Sequence, residues 1–160
     1  MTTKTAAPSS TDRIEKHVTL SAPRSRVWRA IADASEFGKW FQMKLNGKFT
    51  AGTTLLGQVT VPGYEHIRTE MKVEKVEPET LFAYSWHPYP GDPKQDYSSE
   101  PMTLVEFHLA DAKGTDSGTE LTIIESGFDA LPADRRAEAF RMNDGGWTGQ
   151  IKAIAKYVTQ

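Results

Sequence analysis

A chain that alternates apolar and polar residues for most of its length, then changes once to a helical period, has two kinds of apolar face to bury against each other. Here the change comes near Pro132. Beyond it Phe140, Trp147, Ile151, Ile154 and Val158 recur at helical spacing and make one apolar stripe. Pro132 and Asp134 suit a first turn, where a missing N–H is harmless and negative charge complements the dipole. Over residues 132–158 such a helix would be roughly 40 Å long, at about 1.5 Å per residue.

The earlier segments read as strands, with one helical interruption. "RIEKHVTL", from Arg13, puts Ile14, Val18 and Leu20 on one side and Glu15, His17 and Thr19 on the other. Pro23 then opens a helix striped by Val27, Trp28 and Ile31, and a second short helix over about 35–41 carries Phe37, Trp40 and Phe41. "GKFTAGTTLLGQVTV" reads as a hairpin turning at Gly52. "HIRTEMKVEKVEPE" points Ile67, Met71 and Val73 inward and Arg68, Glu70, Lys72 and Glu74 outward. "LFAYSWH" sets Phe82, Tyr84 and Trp86 on one face. "TLVEFHL" turns in Val105, Phe107 and Leu109, and "TELTIIESG" turns in Leu121 and Ile123, with a hairpin turn between them. The order predicts an α+β fold: an antiparallel sheet of about six to seven strands, two short helices, and one long C-terminal helix packed on one face.

With 160 residues, one domain is expected, and a chain of that size buries about 68–70% of its unfolded surface without needing a staple. Cysteine is absent, so there is no disulfide framework, thiol catalysis or thiolate metal site. A formal charge of -2 gives no footprint for nucleic acid, and no apolar run is long enough for a membrane span. The opening "MTTKTAAPSSTD" lacks the apolar centre of a signal peptide. Residues 1–12 are expected to be a disordered lead-in to a single domain over 13–160, in a cytoplasmic protein.

"NDGGWTG", residues 143–149, sets three glycines inside the long helix, each costing roughly 1 kcal/mol against alanine. With Trp147 at zero on a helical wheel, Phe140, Ile151, Ile154 and Val158 fall within about 40°, and Asn143 and Asp144 border the same face at about 40° and 60°. Gly145 and Gly149 point away from the core. Two readings follow. The glycine pair bends the helix, lifting the Phe140 half off the sheet over a cavity, or the bare outer face admits a second chain.

The residues Pro23, Val27 and Trp28, then Trp40, "FTAG" ending at Gly52, "VEKVEPETLFAYSW", Val105, Phe107, "GTEL" at 118–121, "ESGFDALP" and Gly146-Trp147 carry a family likeness. In their order and spacing, over nearly the whole chain, the protein resembles the START-like helix-grip superfamily. Within it the likeness is to the bacterial proteins named for the C-terminal domain of the activator of Hsp90 ATPase. The resemblance implies a strongly curved sheet gripping the C-terminal helix around a cavity, and it allows a homodimer. One departure is the loop 88–101, "PYPGDPKQDYSSEP", longer than is usual between these strands.

The expected ligand pocket takes Trp40, Phe41, Met71, Phe82, Tyr84, Trp86 and Phe107 from the first part of the chain. Phe140, Asn143, Asp144 and Trp147 join them from the long helix. Tyr84, Asn143 and Asp144 are its polar candidates, since ligand sites are mostly apolar with a few placed polar groups. Asp144 either enters the pocket, needing a partner or a raised pKa, or meets a surface cation. The aromatics equally suit plain core filling. His17, His66, His87 and His108 are too dispersed for a metal, and only His87, at the head of the proline-rich loop, could reach a pocket mouth. No G-x-S-x-G, S-x-x-K or phosphate loop occurs, so no catalytic residue, metal or cofactor is assigned. The expected function is binding of a small apolar or aromatic molecule. The alternatives are a cyclase- or hydrolase-type enzyme on the same cavity, and a protein-interaction module.

Overall fold

The computed structural model describes residues 11–92, 94–114 and 117–160. The chain runs β1 (Arg13–Leu20), α1 (Arg24–Ala32), α2 (Ala34–Phe41), β2 (Met43–Leu45), β3 (Thr54–Val59), β4 (Arg68–Glu77), β5 (Leu81–Trp86), β6 (Thr103–Asp111) and β7 (Thr119–Ser126). A 3-10 turn, Phe128–Ala130, leads into α3 (Ala133–Val158). All seven strands form one antiparallel sheet in the order β1-β7-β6-β5-β4-β3-β2. Strands β2 to β7 are a meander, and β1 adds to its far edge; the register shift between Val73 and Lys75 is a bulge of the kind that bends a strand. The result is the curved sheet, two short helices and long C-terminal helix of a helix-grip α+β fold.

Local chemistry sets the helix ends. The Asp33 carboxylate caps α2 by accepting from the N–H groups of Ser35 and Glu36, at 2.9 and 3.1 Å. Gly38 is required there: a Cβ would stand 2.4 Å from the carbonyl oxygen of Met43. Trp40 Nε1 donates to the Ala30 carbonyl at 2.8 Å, tying α2 to α1 in the core. Glu36 Oε1 accepts from Arg26 at 2.8 Å and from the Tyr157 hydroxyl at 3.0 Å, joining both short helices to the end of α3.

The core lies between the sheet and the helices. Phe37 is at its centre, stacked on Phe41 at 4.6 Å and edge-on to Trp40 and Phe49 at 5.0 and 5.3 Å. From the sheet Met71, Val73, Phe82, Tyr84, Val105 and Phe107 reach it fully buried. From α3 come Trp147, Ile154 and Val158. At about 25 cal/mol per Å² of buried apolar area, these large side chains are the main stabilising contribution.

Three expectations need revision. The hairpin read from "GKFTAGTTLLGQVTV" takes its first arm earlier, as Met43–Leu45 paired with Val59 and Gly57. Phe49 leaves the ladder because its ring is buried against Phe37 and Phe82. The Gly52 turn, at φ +87°, is held instead by β4, through Gly52 N–H to Val73 O at 2.8 Å. Second, the inner cavity is displaced from Phe140, while α3 stays helical through its glycines, where added Cβ atoms would meet nothing within 4 Å. Phe140 packs edge-on against Phe128 at 5.1 Å, so the inner cavity lies elsewhere than beneath it. Third, most of the lead-in expected over residues 1–12 lies outside the described residues. Thr11 and Asp12, however, are held to the 3-10 turn: Asp12 O accepts from Gly127 and Phe128 N–H, both at 3.1 Å, and Thr11 donates to Asp129 at 2.7 Å. Part of the β6–β7 turn, residues 115 and 116, is also outside the described residues.

Candidate functional site

Strand β7 buries alternate residues Thr119, Leu121, Ile123 and Glu125, so the parity that turns two aliphatics into the core also turns in a carboxyl group. Glu125 is 0% exposed. Its Oε1 accepts from Trp147 Nε1 at 2.7 Å and Asn143 Nδ2 at 2.9 Å. Its Oε2 accepts from Trp86 Nε1 at 2.7 Å and Thr103 Oγ1 at 2.5 Å, with Asn143 Nδ2 again at 3.2 Å. One carboxyl thereby joins β5, β6, β7 and α3. Asn143 and Trp147, four apart on the helix, present their donors to it together.

All four donor groups are neutral, and among the described residues no cation bonds this carboxyl. Burial raises its pKa, while the four donors pull it down; the net displacement is upward, as desolvation without a counter-charge requires. Beside it, the Tyr84 hydroxyl is fully buried with no hydrogen-bond partner, and burial plus the neighbouring Glu125 push its pKa well above the ordinary value.

Next to this polar centre lies a partly enclosed cavity of about 140 Å³. Phe41, Met43, Val59, Ile67, Trp86 and Tyr89 give it an apolar wall, and Pro90 closes one side. Its polar lining is Asn143, His87 and Thr69. A smaller space of about 70 Å³ adjoins it, sharing Phe41, Trp86 and Asn143 and reaching Trp147, Gly146 and Gln150. Thr69 is 6% exposed, and its hydroxyl has no partner. Larger depressions of about 240 and 370 Å³ adjoin it against loop 88–101, the first sharing Thr69, His87 and Pro90, but they are lined mainly by polar chains such as Arg68, Gln95 and Asp96. The inner cavity has the apolar wall and few polar groups that a small molecule needs.

The loop that borders this cavity is fastened to α3. Arg135 donates from Nε to Glu100 Oε1 at 2.7 Å, and from its two Nη atoms to the carbonyls of Tyr89 and Pro88, at 3.0 and 2.7 Å. Its guanidinium also covers the Tyr97 ring at 4.7 Å. His87 Nε2 stands 3.1 Å from the Glu100 carbonyl oxygen.

Of the residues expected from sequence, Phe41, Trp86, Asn143 and Trp147 come together around these cavities. Trp40, Met71, Phe82, Tyr84 and Phe107 fill the core behind them. Phe140 sits against Phe128, away from the cavities, beside a surface depression lined by Thr11 and Arg136. Asp144 turns to the surface and pairs with Lys16 Nζ at 2.9 Å, the second of its two expected environments. Glu125 and Thr69 are not among the expected residues, although alternation with Ile123 and with Met71 marks both as inward. Among the described residues, no group of three or more His, Cys, Asp or Glu could hold a metal ion. Nor is any helix among them long and apolar enough to cross a membrane.

A curved antiparallel sheet closed on one long helix, with a small lined cavity between, defines a helix-grip protein. More narrowly, the chain belongs to the activator of Hsp90 ATPase homolog 1-like protein family, whose pattern matches residues 21–159. Several solved structures share the fold. Protein MLL2253 from Mesorhizobium loti is 20% identical, with a TM-score of 0.71 over 92% of this chain and 96% of that one. Protein Ms6760 from Mycobacterium smegmatis is 17% identical, with a TM-score of 0.70 over 91% and 90%. The Aha1 dimer from Colwellia psychrerythraea is 14% identical, with a TM-score of 0.63 over 88% and 91%. No functionally curated protein is detectably similar in sequence.

Proposed function

We propose that the protein is a cytoplasmic binder of a small apolar or aromatic molecule, held in the cavity between the sheet and α3. The observation that carries this reading is the pairing of an apolar wall with a buried hydroxyl, Thr69, that has no partner among the described residues. A polar group left unpaired in a core costs about 1–3 kcal/mol, and a ligand that the Thr69 side chain turns to meet would remove that cost. At about 140 Å³ the space suits a single ring; an apolar cavity of about 150 Å³ takes up benzene.

A thermal-shift screen of small aromatics tests the reading, run on the wild type and on Val59→Phe, which fills the cavity from its wall. A ligand at 100 times its Kd should stabilise the wild type by about 2.7 kcal/mol. The shift should vanish in Val59→Phe. A panel that leaves the wild type unmoved, or a shift that survives in the filled variant, counts against it.

A homodimer is a second part of the reading. The related Aha1 structure from Colwellia psychrerythraea is a dimer, and here Gly145 and Gly149 leave the outer face of α3 bare. Light scattering after gel filtration would give about twice the 17.8 kDa chain mass for a dimer and contradict it with a single-chain mass.

A further inference from the structure

The hydrogen-bonding polarity of the cavity is fixed by the groups behind it. The Asn143 amide nitrogen is committed to Glu125, so the amide oxygen faces away from that carboxyl and takes no donor among the described residues. His87 Nε2 faces a carbonyl oxygen, which only accepts, so Nε2 carries the proton; in the neutral ring Nδ1 is then an acceptor too. The unpartnered Thr69 hydroxyl can give or accept. Among the described residues lining the cavity there is no Lys or Arg. Arg68, between the lining residues Ile67 and Thr69, alternates to the exposed side of β4 and borders the outer depressions instead, while Arg135 on α3 is committed to Glu100.

We infer that this cavity selects small neutral aromatics carrying a hydrogen-bond donor, phenols and aryl alcohols, and turns away carboxylates. The inference rests on the binding reading above and adds the ligand's chemistry to it. A phenolic hydroxyl can donate to Asn143 Oδ1 or His87 Nδ1, while the ring lies against Phe41 and Trp86. An anion would meet two acceptors and the buried Glu125 carboxyl with no counter-charge, the costliest arrangement in a dry site.

Calorimetric titration with p-cresol, p-xylene and p-toluate separates the possibilities. The first two have the same shape and differ by a hydroxyl against a methyl. One hydrogen bond gained in a buried site predicts p-cresol about tenfold tighter than p-xylene, with p-toluate weaker than both. Asn143→Leu should bring p-cresol and p-xylene together. If p-xylene binds as tightly as p-cresol, or p-toluate binds tightest, the cavity stands and the donor rule is overturned. If none of the three binds, the binding reading falls and the donor rule with it. The wild-type ratio decides alone should Asn143→Leu fail to fold.

Discussion

The Glu125 carboxyl on β7 accepts the indole N–H of Trp147 on α3 at 2.7 Å, and this bond crosses the apolar seam between the sheet and its long helix. Trp86, Thr103 and Asn143 complete the shell, so a single acidic side chain sets the rotamers of two tryptophans and one amide. Glutamine has the same shape but replaces one acceptor with a donor. Glu125→Gln would press an N–H against Trp86 Nε1 or Trp147 Nε1 and lower stability by about 1–3 kcal/mol. Urea unfolding of the two proteins measures this; equal midpoints would contradict it.

The same pair of proteins carries a pH signature. Burial raises the folded pKa of Glu125 above the ordinary carboxyl range. At pH values below about 4.3 both folded and unfolded chains hold the proton. As pH rises through that value, the unfolded chain ionises first and gains stability relative to the fold. The contribution of Glu125 therefore falls with rising pH until its folded pKa is passed. Tyr84 is the titratable neighbour coupled to it, and it stays neutral across this range. The advantage of wild type over Glu125→Gln should thus be largest near pH 4 and shrink toward pH 7. An advantage that grows with pH would mean that the shell of donors outweighs desolvation.

Arg135 and Glu100 are 13% and 9% exposed, so their bond is shielded from water and salt. Arg135→Ala strands Glu100 and releases the carbonyls of Pro88 and Tyr89. It should cost about 3 kcal/mol and loosen the loop locally. Lys94 is an exposed tryptic site in that loop. Cleavage after Lys94 should accelerate in Arg135→Ala well before global unfolding; unchanged cleavage would show that the loop is held by other contacts.

How the site reads from sequence follows from these residues. Alternation places the strands and the inward faces, and the 3.6-residue stripe places α3, because both are local patterns. Glu125 shares the parity of Ile123, Thr69 that of Met71, and Lys16 that of Ile14, so all three inward positions were legible. Polar residues at those positions do not stand out, because an apolar stripe marks only its apolar members. What no local pattern could show is that Trp86 and Trp147, distant in sequence, share one carboxyl. Nor could it show that Arg135 reaches the loop at Pro88. Phe49 is the opposite case, a strand-like segment pulled out of its ladder by burial of its ring.

Gly145 and Gly149 face open space, so neither is required by a close approach within the chain. Replacing each with alanine should stabilise the helix by about 0.5–1 kcal/mol. Differential scanning calorimetry at several protein concentrations checks this. A destabilisation that appears only where the protein self-associates would mark the outer face of α3 as a contact between copies.

Thr69→Val removes a buried hydroxyl that bonds to nothing. The free protein should gain about 1 kcal/mol, while affinity for p-cresol falls; unchanged affinity would show that the ligand does not use this hydroxyl. A loss of stability in the free variant would mean that the hydroxyl already has a partner, such as a bound water.

The central claim is that the space beside Glu125, between Phe41, Trp86 and Asn143, is a ligand site. It is tested most directly by following the four tryptophan indole N–H resonances while p-cresol is added. Trp86 and Trp147 should shift together and saturate, because one lines the main cavity and the other the space beside it. Trp28, half-buried on α1, should stay where it is. Saturable shifts confined to Trp28, or no saturable shift at Trp86 and Trp147, would contradict the account.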